Sequence, residues 1–127
     1  MDQETRHTLA VTSRESNGIT FVKMQGSLSA TTAEQGLQEM KTIVDSGAKK
    51  IVINLADVDY ISSGGIRVLI LACKQLNNVQ GKMKIAAAKG MVKEALEAGG
   101  FNLLSRVYGE NNQLCNTEEE AAAAFTG

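Results

Sequence analysis

Hydrophobic and polar positions are arranged most regularly between residues 50 and 76, where two spacings follow one another. Residues 50–55 form an apolar run rich in β-branched side chains, which predicts a strand covered on both faces. After polar residues 56–61 and a Ser-Ser-Gly-Gly junction at residues 62–65, apolar residues recur at helical spacing. This spacing predicts a helix that begins near residue 63 or 64 and faces the sheet. Its buried stripe consists of Ile66, Leu69, Ile70, Cys73 and Leu76.

The opposite face of this helix carries Arg67, Leu71 and Lys74. A single exposed leucine is common on protein surfaces. Leu71, however, lies beside the junction on an otherwise polar face. This position favours a surface that contacts a partner protein.

The beginning of the chain predicts an antiparallel hairpin. Residues 8–14 and 19–26 alternate as strands do. Asn17 and Gly18 between them are typical of a tight turn, because both residues tolerate positive φ.

The first helix follows this hairpin. Thr31 and Glu34 have the spacing of a capping box. Gly47 after the helical stripe is typical of a left-handed helix end. The stripe consists of Ala33, Leu37, Met40 and Val44.

The chain beyond residue 80 alternates strand and helix patterns again. Residues 82–87 read as a strand, residues 91–99 as a third helix, and residues 105–108 as a last strand. A second capping box, Thr117 with Glu120, begins a terminal helix. Strands that alternate with helices imply parallel βαβ units. We therefore expect an α/β fold in which helices pack on a mixed β-sheet.

Composition narrows the possible functions. The 127 residues carry a net charge of −1 and only 4% aromatic residues, which argues against nucleic acid or an anionic membrane surface as a partner. No apolar run approaches the roughly 18 residues of a membrane span. The polar start of the chain does not resemble a signal peptide. We expect a cytoplasmic protein without membrane insertion.

The chain shows no pattern that indicates catalysis, a metal or a cofactor. Cys73 and Cys115 are too few and too far apart for a disulfide framework or a zinc site. His7 is the one histidine, and it lies in a polar segment where a surface position is expected. Asp57 and Asp59 are interpreted as turn residues rather than a cation site. We expect a protein that is not an enzyme.

The junction at residues 62–65 could serve three purposes. A serine could simply cap the helix, which stabilises it by about 1 kcal/mol. The glycines could hold the phosphate of a nucleotide at the helix N-terminus, although the established nucleotide-binding patterns are absent. A serine could also be phosphorylated, which would add about −1.5 to −2 charge and repel an acidic partner.

Residues 52–76, VINLADVDYISSGGIRVLILACKQL, resemble the central motif of STAS domains, specifically of bacterial anti-sigma factor antagonists. The resemblance extends over residues 18–40 and 81–113, which is nearly the whole chain. It implies one STAS domain over residues 1–127, with a core of about residues 8–126. It also implies a protein that acts by partner switching rather than by catalysis.

The resemblance implies that Ser63 is the phosphoacceptor, because the family motif Asp-Ser-Ser/Ala-Gly-Leu falls on residues 62–66. The kinase would be an anti-sigma factor of the histidine-kinase-like ATPase fold, bound by the unphosphorylated form. A PP2C-type phosphatase would reverse the modification. Ser62 replaces the family's aspartate and remains a rival acceptor, and Gly64 replaces the usual Ser/Ala.

The expected contact surface combines the junction, the outer face of the second helix and the turn that begins at residue 26. Its residues are Ser62, Gly64, Gly65, Arg67, Leu71, Lys74, Ser27, Ser29 and Thr31. We expect a monomer or weak dimer. The alternative functions are an accessory STAS subunit of a lipid ABC transporter, a scaffold of a stress complex, and a small nucleotide-binding protein.

Overall fold

The computed structural model describes residues 8–100 and 114–126, which form a five-stranded mixed sheet with helices on both faces. The strands lie side by side in chain order. The first two are antiparallel, and each later strand is parallel to its neighbour. The strands are β1 (Leu9–Ser16), β2 (Ile19–Leu28), β3 (Lys50–Ile61), β4 (Lys82–Ala86) and β5 (Leu114–Cys115).

The described residues form four α-helices, three on one face of the sheet and one on the other. The predicted α/β fold with a mixed sheet is therefore confirmed. Within this part of the chain, every helix is too short or too polar to span a bilayer. The helices are α1 (Ala33–Asp45), α2 (Ser63–Asn78), α3 (Gly90–Ala95), which continues as a π-helical turn (Leu96–Gly100), and α4 (Glu118–Thr126).

The main core lies between the sheet and helices α1 to α3. It is built from side chains that are almost completely buried, and burial of each contributes about 1.5–3 kcal/mol. Its largest members include Met24, Leu28, Met40, Ile51, Ile53, Leu55, Leu69, Leu76 and Leu96.

Two turns confirm the sequence prediction. Asn17 and Gly18 have φ of 54° and 81° and join β1 to β2. Gly47 has φ of 104° directly after α1, as expected of a left-handed helix end.

Strand β3 is twice as long as predicted, because residues 56–61 continue the strand instead of forming a turn. Two irregularities in its pairing with β2 accommodate extra residues of β3. Asn54 Oδ1 accepts a hydrogen bond from the amide of Ala56 at 2.8 Å, which satisfies one backbone group at the first irregularity. The sequence did not predict this part of the strand. Residues 56–61 are not apolar on both faces, so they lack the continuous apolar run that indicates a buried strand.

The buried face of α2 is rotated from the predicted one. Val68 is completely buried, whereas Ile66 and Ile70 are only partly buried. The reason is that α2 packs against α1 as well as the sheet, and Gly36 of α1 lies directly against Val68. In α3 Met91 is 43% exposed, while Val92 and Leu96 are buried.

The second face of the sheet is covered by α4, which forms a smaller apolar cluster with Phe21, Val52 and Ala121. The predicted capping box begins this helix: the amide of Glu120 donates to Thr117 Oγ1 at 3.0 Å. The predicted strand at residues 105–108 and the predicted surface position of His7 lie outside the described residues. The short strand β5 was not predicted.

Polar contacts attach the first turn of α4 to the sheet. The Glu118 carboxylate accepts hydrogen bonds from Asn54 at 2.9 Å and from Arg14 at 3.0 Å. The Arg14 guanidinium also lies 4.4 Å from the centre of the Phe21 ring. The bond from Asn54, and then Arg14, lowers the pKa of Glu118 below its ordinary value, against the effect of burial.

We expect Glu118→Gln to remove a pH-dependent part of the stability. Because the folded protein lowers this pKa, the contribution is complete above the ordinary value of 4.5 and is lost as pH falls through the folded value. At neutral pH the variant should lose about 1 kcal/mol of unfolding free energy. Urea unfolding from neutral to acid pH measures this, and the difference from wild type should shrink in acid.

Glu119→Gln is the matched control, because Glu119 is exposed in the same helical turn. It should change stability little at any pH. An identical response of the two variants would contradict an attachment through Glu118.

Candidate functional site

The junction between β3 and α2 is held by two backbone hydrogen bonds of Ser62. Its amide donates to the carbonyl oxygen of Leu28 at 3.1 Å, which ties the end of β3 to the end of β2. Its carbonyl oxygen accepts from the amide of Ile66 at 2.9 Å, which begins the helix. Ser62 itself is extended, with φ of −122° and ψ of −179°. The chain therefore passes from strand to helix in a single residue.

Ser63 occupies the first helical position and is exposed. The amides of Ser63, Gly64 and Gly65 precede the first intrahelical hydrogen bond and so have no acceptor within the helix. The N-terminus of a helix carries about half a positive charge. The Ser63 hydroxyl is thus an accessible nucleophile beside groups that favour a negative charge.

Ser62 differs sharply from its neighbour. Its Oγ is buried, has no hydrogen-bond partner and does not cap the helix, although Ser62 is the N-cap residue. Of the two candidate acceptors, Ser63 alone presents its hydroxyl to solvent.

Gly64 and Gly65 allow the loop after β2 to lie directly against the first turn of α2. A Cβ on Gly64 would lie 2.8 Å from the Ala30 backbone, and a Cβ on Gly65 would overlap the Leu28 carbonyl group. Side-chain shifts cannot relieve contacts with backbone. The departure from the family motif at Gly64 therefore has a local physical reason.

The loop at residues 27–32 folds around the hydroxyl of Thr32. Thr32 Oγ1 accepts from the amide of Ser29 at 3.0 Å and donates to the carbonyl oxygen of Ser27 at 2.9 Å. Ser27 and Ser29 are 3% and 7% exposed, so their side chains are buried in the loop rather than displayed on the surface as expected. Ala30 and Thr31 form its exposed tip.

The predicted capping role of Thr31 is also wrong. The N-cap of α1 is Thr32, and its hydroxyl is engaged within the loop rather than with the helix. Thr31 Oγ1 instead lies 3.0 Å from Ser29 Oγ, within hydrogen-bond distance. A run of three hydroxyl residues and one alanine offered no sequence signal to decide which one begins the helix.

The outer face of α2 is arranged largely as predicted. Arg67 and Lys74 are exposed, and Leu71 between them is half-buried. These three residues follow Ser63 along the exposed side of α2. Sequence reasoning missed Tyr60, which is 45% exposed at the end of β3, because residues 56–61 were interpreted as a turn.

Asp57 forms ion-pair contacts rather than a cation site. Its Oδ2 lies 3.0 Å from Lys23 Nζ and accepts from Gln25 at 3.4 Å. These hydrogen bonds, that of Lys23 first, lower the pKa of Asp57. The described residues contain no cluster of histidine, cysteine and acidic side chains that could bind a metal.

Comparison with known proteins identifies relatives over most of the chain. The family model of the STAS domain matches residues 10–121. BtrV of Bordetella bronchiseptica, named as a candidate anti-sigma factor antagonist, is 38% identical over 109 residues, which cover 86% of this chain and 88% of BtrV.

Solved structures share the fold. An anti-sigma factor antagonist from Mycobacterium paratuberculosis superposes with a TM-score of 0.78 at 18% identity, over 94% of this chain and 96% of the other. The Bacillus protein SpoIIAA in its phosphorylated form gives a TM-score of 0.63 at 18% identity, over 91% and 99%. Its unphosphorylated form gives 0.65 at 18% identity, over 93% and 99%.

We expect Ser62→Ala to stabilise the protein, which is the reverse of the usual effect at an N-cap. The substitution removes a buried hydroxyl that has no partner, so the folded state should gain about 1 kcal/mol. Thr117→Ala is the control, because Thr117 does cap its helix and should lose about 1 kcal/mol. Urea unfolding of both variants checks the opposite signs, and a loss in both would contradict the geometry of Ser62.

We expect Gly65→Ala to destabilise the protein by about 1–3 kcal/mol, because its Cβ would overlap the Leu28 carbonyl group. Gly36→Ala is the matched control within α1, since its nearest neighbours are side-chain atoms of Val68 and Leu9 that can move. Chemical denaturation should show a clearly larger loss for Gly65→Ala. Equal losses of stability would contradict this prediction, because they would mean that the loop after β2 shifts easily to accommodate the added Cβ.

Proposed function

The chain belongs to the STAS domain family, and on that premise we propose that it is an anti-sigma factor antagonist that acts by partner switching. The name of BtrV and the two forms of SpoIIAA support this proposal. The protein would act by binding other proteins, not by catalysis.

One observation carries the proposal: Ser63 displays its hydroxyl at the positive end of α2 while the Ser62 hydroxyl is buried. A kinase can approach Ser63 without rearranging the fold. A phosphate there would add about −1.5 to −2 charge, and the unpaired amides of the first helical turn would offset part of it. Phosphorylation would therefore leave the domain folded and change its surface.

The charge of the phosphate would act on any protein bound at the same surface. This surface comprises the Ala30–Thr31 loop tip, Ser63 and the exposed side of α2 with Arg67, Leu71 and Lys74. Two cations and an apolar side chain suit a partner face that is acidic around an apolar patch. Phosphate against such a face would cost up to about 4 kcal/mol for charges 4 Å apart at an effective dielectric of 20.

The proposed partner is the anti-sigma factor itself, a serine kinase of the histidine-kinase-like ATPase fold. It would bind the unphosphorylated form and so leave sigma factor free. Phosphorylation of Ser63 would release the antagonist, and a PP2C-type phosphatase would restore it. Phosphorylation and dephosphorylation would thus add or remove about −1.5 to −2 charge at one accessible hydroxyl.

We expect incubation with the cognate kinase and ATP to add one phosphate, detected by intact mass. Ser63→Ala should abolish the added mass, because it removes the exposed hydroxyl. Ser62→Ala is the matched control one residue away and should still be modified. Transfer that persists in Ser63→Ala and disappears in Ser62→Ala would overturn the assignment.

Binding to the unmodified kinase is the second readout. Ser63→Glu places a negative charge at the acceptor and should weaken binding at least tenfold, which corresponds to 1.4 kcal/mol. Ser13→Glu adds the same charge on exposed β1 and should leave binding unchanged. Equal affinity of wild type and Ser63→Glu would count against a charge-controlled interface.

A further inference from the structure

Strand β1 is an edge of the sheet. Among the described strands it pairs with β2 alone, and its eight residues are in continuous antiparallel register without a bulge. Natural proteins protect such edges with charged side chains, prolines, bulges or short strands, because free amides and carbonyls can pair with another strand. The chain has no proline. Apart from Arg14 and Glu15, β1 has none of these protections.

The hairpin decides which residues of β1 direct their backbone groups away from β2. Hydrogen-bonded and non-hydrogen-bonded pairs alternate along an antiparallel ladder. Ser16 and Ile19 flank the two-residue turn, which is a hydrogen-bonded position in such a hairpin. At the other end, the amide of Ser27 donates to the carbonyl oxygen of Thr8 at 2.9 Å. Even-numbered residues of β1 therefore bond to β2, and odd-numbered residues direct their amides and carbonyls outward.

One of the outward groups is already occupied by a side chain. The carbonyl oxygen of Leu9 accepts a hydrogen bond from Gln35 Nε2 of α1 at 2.7 Å, which agrees with its outward direction. Val11, Ser13 and Glu15 have no such partner within the described part of the chain. Ser13 and Glu15 are exposed, and Val11 is half-buried. These three residues are the open part of the strand, and we call them the β1 edge.

We propose that the β1 edge binds the β1 edge of a second copy of this chain, antiparallel and around a two-fold axis at Ser13. Ser13 then pairs with the partner subunit's Ser13, and Val11 pairs with the partner subunit's Glu15. Each of these pairs can exchange two hydrogen bonds. About six hydrogen bonds would therefore use all the open amides and carbonyls of both strands.

Other registers are less favourable. An axis nearer the start of β1 would require the carbonyl oxygen of Leu9, which Gln35 already occupies. An axis at Arg14 or at Glu15 would place like charges directly opposite, which destabilises a sheet. With the axis at Ser13, each charged residue lies opposite an uncharged one. The β1 edge is therefore self-complementary, which favours a second copy over an unrelated strand.

The Arg14 side chain is held away from this edge. Its guanidinium lies 3.0 Å from the Glu118 carboxylate and 4.4 Å from the centre of the Phe21 ring on β2. Both contacts direct the arginine toward β2 and α4, so it does not block the approach of a second strand.

The dimer should be weak, because three residues of one strand form a small contact. Stable interfaces bury roughly 1,200–2,000 Å². We therefore expect a dimer that forms only at high protein concentration. Strand β2 separates β1 from β3 and the junction that follows it, so the proposal does not depend on the function proposed for Ser63.

The test is sedimentation equilibrium of the full chain over a range of protein concentrations. We expect a reversible equilibrium between monomer and dimer. Ser13→Pro removes the outward amide and should weaken association at least tenfold. Ser13→Ala keeps this amide and should associate as wild type does. Proline is tolerated on an edge strand where the amide faces solvent, and thermal unfolding establishes that each variant is folded.

A second pair of variants tests the register. With the axis at Ser13, residue 12 lies opposite the partner subunit's Arg14. Thr12→Glu should therefore strengthen association several-fold, and Thr12→Lys should weaken it several-fold. Thr42→Glu adds the same negative charge at an exposed position of α1 and should leave association unchanged.

Amide hydrogen exchange locates the contact. At high protein concentration the amides of Val11, Ser13 and Glu15 should exchange more slowly than in dilute solution. The other amides of the sheet should exchange at the same rate in both.

Three results would overturn the proposal. A monomer at the highest concentration that the protein reaches would exclude self-association and leave the edge to a strand of another protein. Equal association of wild type and Ser13→Pro would place the contact elsewhere, and protection of residues 63–78 would then locate it on α2. Weaker association of Thr12→Glu would contradict the axis at Ser13.

Discussion

The close approach of the loop after β2 to the first turn of α2 is the constraint on which the candidate site depends. Two glycines make this approach possible, because any Cβ there would meet the backbone of Leu28 or Ala30. The hydrogen bond from the Ser62 amide to Leu28 then fixes the position at which α2 begins. As a result, the exposed Ser63 and the loop tip at Thr31 form one surface although they are distant in sequence.

The two serines of the junction show how backbone geometry assigns different roles to identical side chains. Ser62 is extended and lies directly after the strand, and its hydroxyl is buried without a hydrogen-bond partner. Ser63 is the first helical residue, and its hydroxyl is exposed.

The two faces of the sheet have different chemistry. Helices α1 to α3 cover one face with an almost wholly apolar core. Helix α4 covers the other through a small apolar cluster, with Glu118 contacts at one end and lysines at the other. The burial of polar residues on this face, such as Asn54 and Lys84, is the feature that sequence periodicity predicts least well.

The sequence by itself determined four features: the hairpin at Asn17, the parallel βαβ order, the cap at Thr117 and the outer face of α2. Each of them depends on the local spacing of residues or on turn chemistry. Tertiary packing decided the length of β3, the burial of Val68 and Lys84, the inward position of Ser29 and the difference between Ser62 and Ser63. These features depend on neighbours from distant parts of the chain, and no local pattern of residues records such contacts.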